Sequence, residues 1–99
     1  MDNYYSIYDF EKQNKEVFWL NMSKSIDWIT SPNIALDESN SPFTKWFPDG
    51  QLNSCYNAVD RHVLAGRGKQ TAIQYESPIT GQSSSLSYLE LQKQTAKFA

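Results

Sequence analysis

The aromatic pair Trp46-Phe47 runs straight into Pro48-Asp49-Gly50 and then into a stretch with helical spacing. That succession constrains the fold more than any other part of the chain. Proline presets one backbone dihedral and glycine accepts a left-handed one, so the three residues predict a tight turn. Asn53 or Ser54 supplies a cap for the helix that follows, and Gly66 stands where a left-handed helix stop is expected. Cys55, Val59 and Val63 recur every four residues and make one apolar stripe, with Tyr56 and Leu64 beside it. Arg61 and His62 fall in the last turn, where positive charge meets the negative end of the helix dipole.

Upstream, residues 1–13 mix polar and aromatic side chains with no clean period, and Tyr4, Tyr5 and Tyr8 either start a helix or dock onto a neighbour. Asn14 is placed to cap a helix in which Phe18, Met22 and Ile26 repeat every four residues and Trp19 adjoins. Trp28 and Ile29 extend that face, and Thr30-Ser31-Pro32 ends it. From Pro32 to Pro42 the chain reads as a connector, with Ile34 and Leu36 alternating around Ala35 to give a short extended contact. A connector of that length is uncommon inside an independent domain and predicts a segment wrapped across another surface.

Downstream, Thr71, Ile73 and Tyr75 alternate with Ala72, Gln74 and Glu76, the period of a strand with one apolar face. Ser77-Pro78-Ile79-Thr80-Gly81 is a turn, and Ser83 to Ser87 returns as a second strand despite three successive serines. Ser87 and Glu90 have the spacing of a capping box, opening a helix with Tyr88, Leu91, Thr95 and Phe98 on one side. That helix meets no Gly or Pro, and a two-stranded hairpin is too small to be stable alone. The expectation is therefore the opening of a longer protein.

The residues Trp46, Phe47, Gly50, Leu52, Asn53, Asn57, Asp60, Arg61 and His62 form the pattern W-F-x-x-G-x-L-N followed by N-x-x-D-R-H. This resembles the N-terminal region of the AMP-forming acyl-CoA synthetases, the acetyl-CoA and propionyl-CoA synthetase group. The resemblance runs from about Tyr8 to Ala99. It takes in Phe18-Trp19, Ile26-Asp27-Trp28, Gly66-Arg67-Gly68, Thr71 to Tyr75, Ser77-Pro78-Ile79-Thr80 and Ser87-Tyr88-Leu89-Glu90-Leu91. The string from Tyr56 to His62, followed by the Ser-Pro-Ile-Thr turn, is more similar to the propionyl-CoA synthetase branch. The resemblance implies an α+β fragment: N-terminal helices and a long connector, a central helix, then a β-hairpin and C-terminal helix. It implies a boundary near residue 69, with 1–69 an N-terminal helical and extended part of an incomplete domain. Residues 70–99 would begin the large α/β AMP-binding domain of an adenylate-forming enzyme. ATP, Mg²⁺ and CoA are implied for the longer family members. Their ATP loop, adenine-contacting motif and catalytic lysine lie beyond the position equivalent to Ala99. No catalytic, cofactor-binding or metal-ligating residue of the family therefore transfers onto this chain. Ser87 stands where threonine is commoner, and the helix after it is richer in Gln and Lys.

Several motifs invite chemistry and read better as structure. Cys55, Asp60 and His62 suggest a nucleophile and its base. On one helix, however, Cys55 and His62 stand roughly 10 Å apart at about 1.5 Å per residue, and a thiol must lie within hydrogen-bond reach of its base. Cys55 is read as a core residue. His62 is the only histidine, which excludes a multi-histidine metal site, and Asp60-Arg61-His62 is read as a structural knot. In that knot Arg61 pairs with a carboxylate or carbonyl, and His62 caps the helix end or bonds the neighbouring turn. Gly66-Arg67-Gly68-Lys69 lacks the spacing and hydroxyl of a phosphate loop and precedes a strand, so it is read as a helix stop and surface turn. Asn21-Met22-Ser23 matches the glycosylation triplet on a predicted helix.

With 99 residues the chain forms one domain at most. It is 39% hydrophobic and 20% charged, which permits a packed core and argues against disorder. Three Trp, six Tyr and five Phe act as anchors, in the chain's own core or against a larger body. A net charge of −2 with no basic field makes nucleic acid and anionic membrane poor partners. One cysteine excludes an internal disulfide. No apolar run approaches the roughly 20 residues of a membrane span. Met1-Asp2-Asn3-Tyr4-Tyr5 is neither a secretory signal nor an arginine-rich mitochondrial leader, so the expectation is cytoplasmic, with a mitochondrial place open to the wider family. The two functional readings are a structural segment leaning on the remainder of a synthetase, and a free-standing aromatic module that binds a partner protein.

Overall fold

Three antiparallel two-stranded sheets and four helices account for the regular structure of residues 3–99, the part the computed structural model describes. Met1 and Asp2, which entered the leader reading, lie outside the described residues. The order is α1 (Tyr4–Gln13), α2 (Lys15–Ser23), β1 (Trp28–Thr30), β2 (Leu36–Asp37), β3 (Lys45–Trp46), β4 (Gln51–Leu52), α3 (54–67), β5 (Thr71–Ser77), β6 (Gln82–Ser87) and α4 (Tyr88–Phe98). This is the mixed helix and strand content expected. The chain divides into two compact units, Met1–Asn53 and Ser54–Ala99.

In the first unit, α1 begins because Asn3 caps it: its Oδ1 accepts from the Ser6 backbone N–H at 2.9 Å. Asn14 is a hinge rather than a side-chain cap. Its N–H closes α1 onto the Phe10 carbonyl at 2.9 Å, and its own carbonyl accepts from Phe18 N–H at 2.9 Å to start α2. Helix α2 stops at Ser23, earlier than the apolar repeat predicts, so Ile26 lies beyond it and Trp28 and Ile29 belong to β1. The three-residue run Trp28-Ile29-Thr30 is aromatic and β-branched, and pairing with β4 outweighs the continued period of four. Trp28 faces Leu52 and Thr30 faces Gln51.

Residues 32–42 are not a loose strap. Asp49 pins their start, accepting from Asn33 N–H at 2.8 Å and Ile34 N–H at 3.3 Å. Ala35 is fully buried, and β2 pairs with β3, Leu36 opposite Trp46 and Asp37 opposite Lys45. The tight turn forms as predicted, with Gly50 N–H donating to the Phe47 carbonyl at 3.0 Å. Its left-handed residue is Phe47, φ 48°, rather than Gly50. Gly50 is required for space instead: a Cβ there would meet the Trp28 ring at 2.7 Å and Pro32 Cβ at 3.3 Å.

In the second unit, α3 starts one residue after Asn53 and widens to π-helical geometry over Tyr56–Asp60 and Val63–Arg67. Gly66, at φ 83°, is the left-handed stop foreseen. The predicted stripe is only partly inward: Val59 is buried, Val63 half-buried, and Cys55 and Leu64 exposed. The reading of Cys55 as core is thereby corrected: it lines an open cavity against α4 instead of being buried by it. Strands β5 and β6 pair from Thr71–Ser87 to Ser77–Gln82 with a bulge between Thr71 and Ile73. Gly81, φ 67°, closes the turn by donating to the Ser77 carbonyl at 2.9 Å. On the alternating face of β5, Ile73 and Tyr75 are both exposed. The capping box is complete: Ser87 Oγ accepts from Glu90 N–H, and the Glu90 carboxylate accepts from Ser87 N–H at 2.8 Å. Among the described residues no large side chain is fully buried, and Phe98 is exposed rather than packed with Tyr88 and Leu91.

Candidate functional site

Each motif flagged in the sequence finds a structural employment. Cys55 and Asp60 both line an open cavity of about 390 Å³ beside Gln92 and Lys93. Asp60 Oδ1 accepts from Gln92 Nε2 at 2.7 Å, which ties α3 to α4. His62 does not line that cavity. Its Nδ1 faces the Arg67 guanidinium and its ring packs at 5.0 Å on Tyr88. A histidine bonded to its own neighbouring turn is not the base for Cys55, and Arg61 Nη1 bonds the Asn57 amide oxygen at 3.3 Å.

In and just after Gly66-Arg67-Gly68-Lys69, two backbone carbonyls face the start of α4. The Gly68 carbonyl takes the Leu89 N–H and the Gln70 carbonyl takes the Tyr88 N–H, both at 3.0 Å. With Ser87 Oγ on Glu90 N–H and the Glu90 carboxylate on Ser87 N–H, all four free amides at the start of α4 are satisfied. Carbonyls aimed inward are the wrong polarity for a phosphate. Asn21 and Ser23 of the glycosylation triplet lie in α2. The Asn21 amide oxygen accepts from Lys24 Nζ at 2.9 Å, and Ser23 is buried with its hydroxyl on the Leu20 carbonyl at 2.8 Å.

Three carboxylates are held below their ordinary values. Asp49 is lowered chiefly by the Asn33 backbone N–H, Glu90 by the Ser87 N–H and then its hydroxyl, and Asp37 by the Ser39 side chain and N–H. All three serve turns or caps. Among the described residues no three of His, Cys, Asp and Glu converge to hold a metal ion, and no helix there is long and apolar enough to cross a membrane.

What remains is an aromatic file in the first unit, which the sequence showed only as scattered anchors. Phe10 stands 6.4 Å from Phe18, Phe18 edge-on to Trp19 at 5.2 Å, and Trp19 edge-on to Trp46 at 5.4 Å. Trp46 lies 5.9 Å from Phe47, which meets Trp28 at 5.6 Å. Two of the indoles are anchored by hydrogen bonds: Trp19 Nε1 donates to Glu11 Oε1 at 3.1 Å and Trp28 Nε1 to the Ser23 carbonyl at 2.8 Å. Glu16 completes the frame by accepting the N–H of buried Ala35 at 2.7 Å. The file is rigid on its inner side and open on its outer one: Trp46 is exposed, Trp19 and Trp28 half-buried.

This architecture, an aromatic-framed N-terminal unit with no reactive cluster among its described residues, coincides with a known sequence family. Residues 4–58 match the family described as Acetyl-coenzyme A synthetase N-terminus, and the chain belongs to that family. It is similar to the Acetyl-coenzyme A synthetase of Streptomyces avermitilis, 44% identical over 92 residues that make up 93% of this chain and 14% of that protein. The human Acyl-CoA synthetase short-chain family member 3, mitochondrial, is 42% identical over 84 residues, 85% of this chain and 12% of that protein. The Acetyl-coenzyme A synthetase of Mycolicibacterium smegmatis is 39% identical over 93 residues, 94% of this chain and 10% of its own length. The chain thus spans a small fraction of the relatives it matches.

Proposed function

We infer that this chain serves as the N-terminal structural segment of a short-chain acyl-CoA synthetase that acts on propionate or acetate. The complete enzyme would join the carboxylate to ATP with Mg²⁺, release pyrophosphate, and pass the acyl group from the adenylate to CoA in the cytoplasm. In that enzyme this segment supplies packing surface, and residues 70–99 open the large nucleotide-binding domain. Its partner is the rest of the same polypeptide, and neither nucleic acid nor membrane is engaged. One observation supports the reading above others: large apolar side chains stand uncovered in both units. Tyr4, Tyr5, Ile29 and Phe43 are exposed in the first, and Leu64 and Ile79 in the second, Ile79 to 95%. Large apolar side chains exposed in this number fit surface that another body covers. Catalysis of adenylation needs donors and a cation around the transferred phosphate, and Asp37, Asp49 and Glu90 serve caps and turns.

The test is direct. The purified chain is incubated with propionate, MgATP and CoA, and no acyl-CoA should appear. Measurable acyl-CoA would overturn the structural reading. The melting transition should be broad, with dye binding to the open apolar faces. A sharp cooperative transition without dye binding would instead favour an independent module that binds a partner protein.

A further inference from the structure

We propose that the groove between α1 and α2 receives an arginine side chain from the remainder of the synthetase polypeptide. This rests on the reading of the chain as one segment of a longer enzyme. The groove encloses about 380 Å³ and is lined by Tyr4, Ile7, Tyr8, Glu11, Phe18 and Trp19. Four of those six side chains present aromatic rings, whose faces are negative, and one is a carboxylate. Tyr4 and Tyr8 stack at 5.9 Å with planes only 10° apart, which gives a flat platform. Phe18 and Trp19 meet edge-on at 5.2 Å.

Glu11 is oriented, not free-swinging. The Trp19 indole N–H holds its Oε1 at 3.1 Å, which fixes the carboxylate in the groove lining. Lys12 Nζ sits 4.4 Å from the Tyr8 ring centroid, so that ring already holds one cation and the faces of Phe18 and Trp19 are the ones left to a second. A purely apolar occupant would leave the Glu11 charge beside hydrocarbon with only one bond, which is costly. An arginine answers both features at once: its planar guanidinium stacks on an aromatic face and donates to a carboxylate. Lysine, a compact and strongly hydrated charge, fits a flat stacked platform less well. The source is also constrained. The relatives are many times longer than this chain, which makes up 14% or 10% of their length, so most of the polypeptide that could cover α1 and α2 is theirs to supply.

The experiment uses this chain and a small probe, N-acetyl-arginine amide, at low ionic strength. The Trp19 indole N–H resonance is followed by NMR. It should shift saturably on titration, while the Trp28 indole, held on the Ser23 carbonyl, stays in place and reports that the unit is folded. The neutral isostere N-acetyl-citrulline amide should leave Trp19 unmoved. Glu11→Gln keeps an oxygen for the Trp19 N–H but removes the charge, and should weaken the arginine response about tenfold, the size of a lost charge-assisted hydrogen bond. Equal shifts with citrulline, or an undiminished response in Glu11→Gln, would overturn the proposal. So would a Trp19 shift that follows protein concentration alone, which would mean that a second copy fills the groove. Acyl-CoA formation by the chain would sink the structural-segment reading and leave this titration untouched, so the two failures are separable.

Discussion

The Trp28 ring occupies the space that a side chain at Gly50 would need. A Cβ built on Gly50 meets Trp28 Cζ3 at 2.7 Å and Cε3 at 3.2 Å, with Pro32 Cβ at 3.3 Å. Trp28 cannot retreat freely, because its indole N–H is fixed to the Ser23 carbonyl at 2.8 Å. Gly50→Ala should therefore destabilise the first unit by about 1–3 kcal/mol, the usual cost of overpacking. Urea unfolding followed by tryptophan fluorescence measures it. An unchanged midpoint would show that the ring moves aside at little cost.

The Ala35 amide depends on Glu16 across 19 residues of chain. Ala35 is fully buried, so removing its acceptor strands a donor away from water. Glu16→Ala should cost about 1–3 kcal/mol, while Glu16→Gln, which keeps an oxygen at the same reach, should cost clearly less. Paired denaturation curves separate the two. Equal losses would mean that the negative charge, not the acceptor, matters.

At the start of α4, Ser87→Ala removes the cap from Glu90 N–H and should lower stability by about 0.5–2 kcal/mol. A pH signature accompanies it. Glu90 sits below its ordinary 4.5 because the Ser87 N–H and hydroxyl favour the carboxylate. A carboxyl lowered in the folded state stabilises fully above its unfolded value and loses that contribution as pH falls through the folded one. Helicity by circular dichroism should thus fall on acidification below 4.5 in the native chain. Glu90→Gln should flatten that fall.

Asp49 offers the same sign in the first unit. Its carboxylate lies below 3.8 mainly through the Asn33 N–H. Asp49→Asn should loosen the clamp on Asn33 and Ile34 and remove the acid sensitivity of that loop. Amide hydrogen exchange at Asn33 and Ile34 reads it: the variant should exchange faster at neutral pH, where the native carboxylate is fully charged.

Gly66, at φ 83°, tolerates no Cβ without strain although open space surrounds it. Gly66→Ala should cost about 1–2 kcal/mol, and Gly66→Asn less, because asparagine visits the left-handed region more readily. Thermal melts of the two variants test this, and equal stability would deny that the helix stop depends on glycine.

The second unit was far more legible than the first. The Ser87–Glu90 box, the Gly66 stop and the period-two run at Thr71 to Tyr75 are signals carried within a few neighbouring residues, and each formed where its chemistry pointed. In the first unit, strands of two or three residues have no period to read. Trp28 opposite Leu52, Leu36 opposite Trp46 and Asp49 beneath Asn33 are pairings between distant segments, and a period-four repeat misled at Trp28 and Ile29 because sheet pairing outweighed it. The Asn3 cap was the one local signal for α1 that went unused. Cys55 showed the complementary error: a helical stripe says which residues share a face, not how much of that face is covered.

The sequence by itself determined the local grammar of this protein and its family, because caps, left-handed glycines and ordered aromatic spacing act through chemistry that neighbours supply. Only the tertiary structure decided that Gly50 is small for the sake of Trp28, that Glu16 serves Ala35, and that Glu11 is poised beside Trp19 in an open aromatic groove. Those relations depend on which distant groups come within a few ångströms of each other, and no pattern along the chain encodes a distance across it.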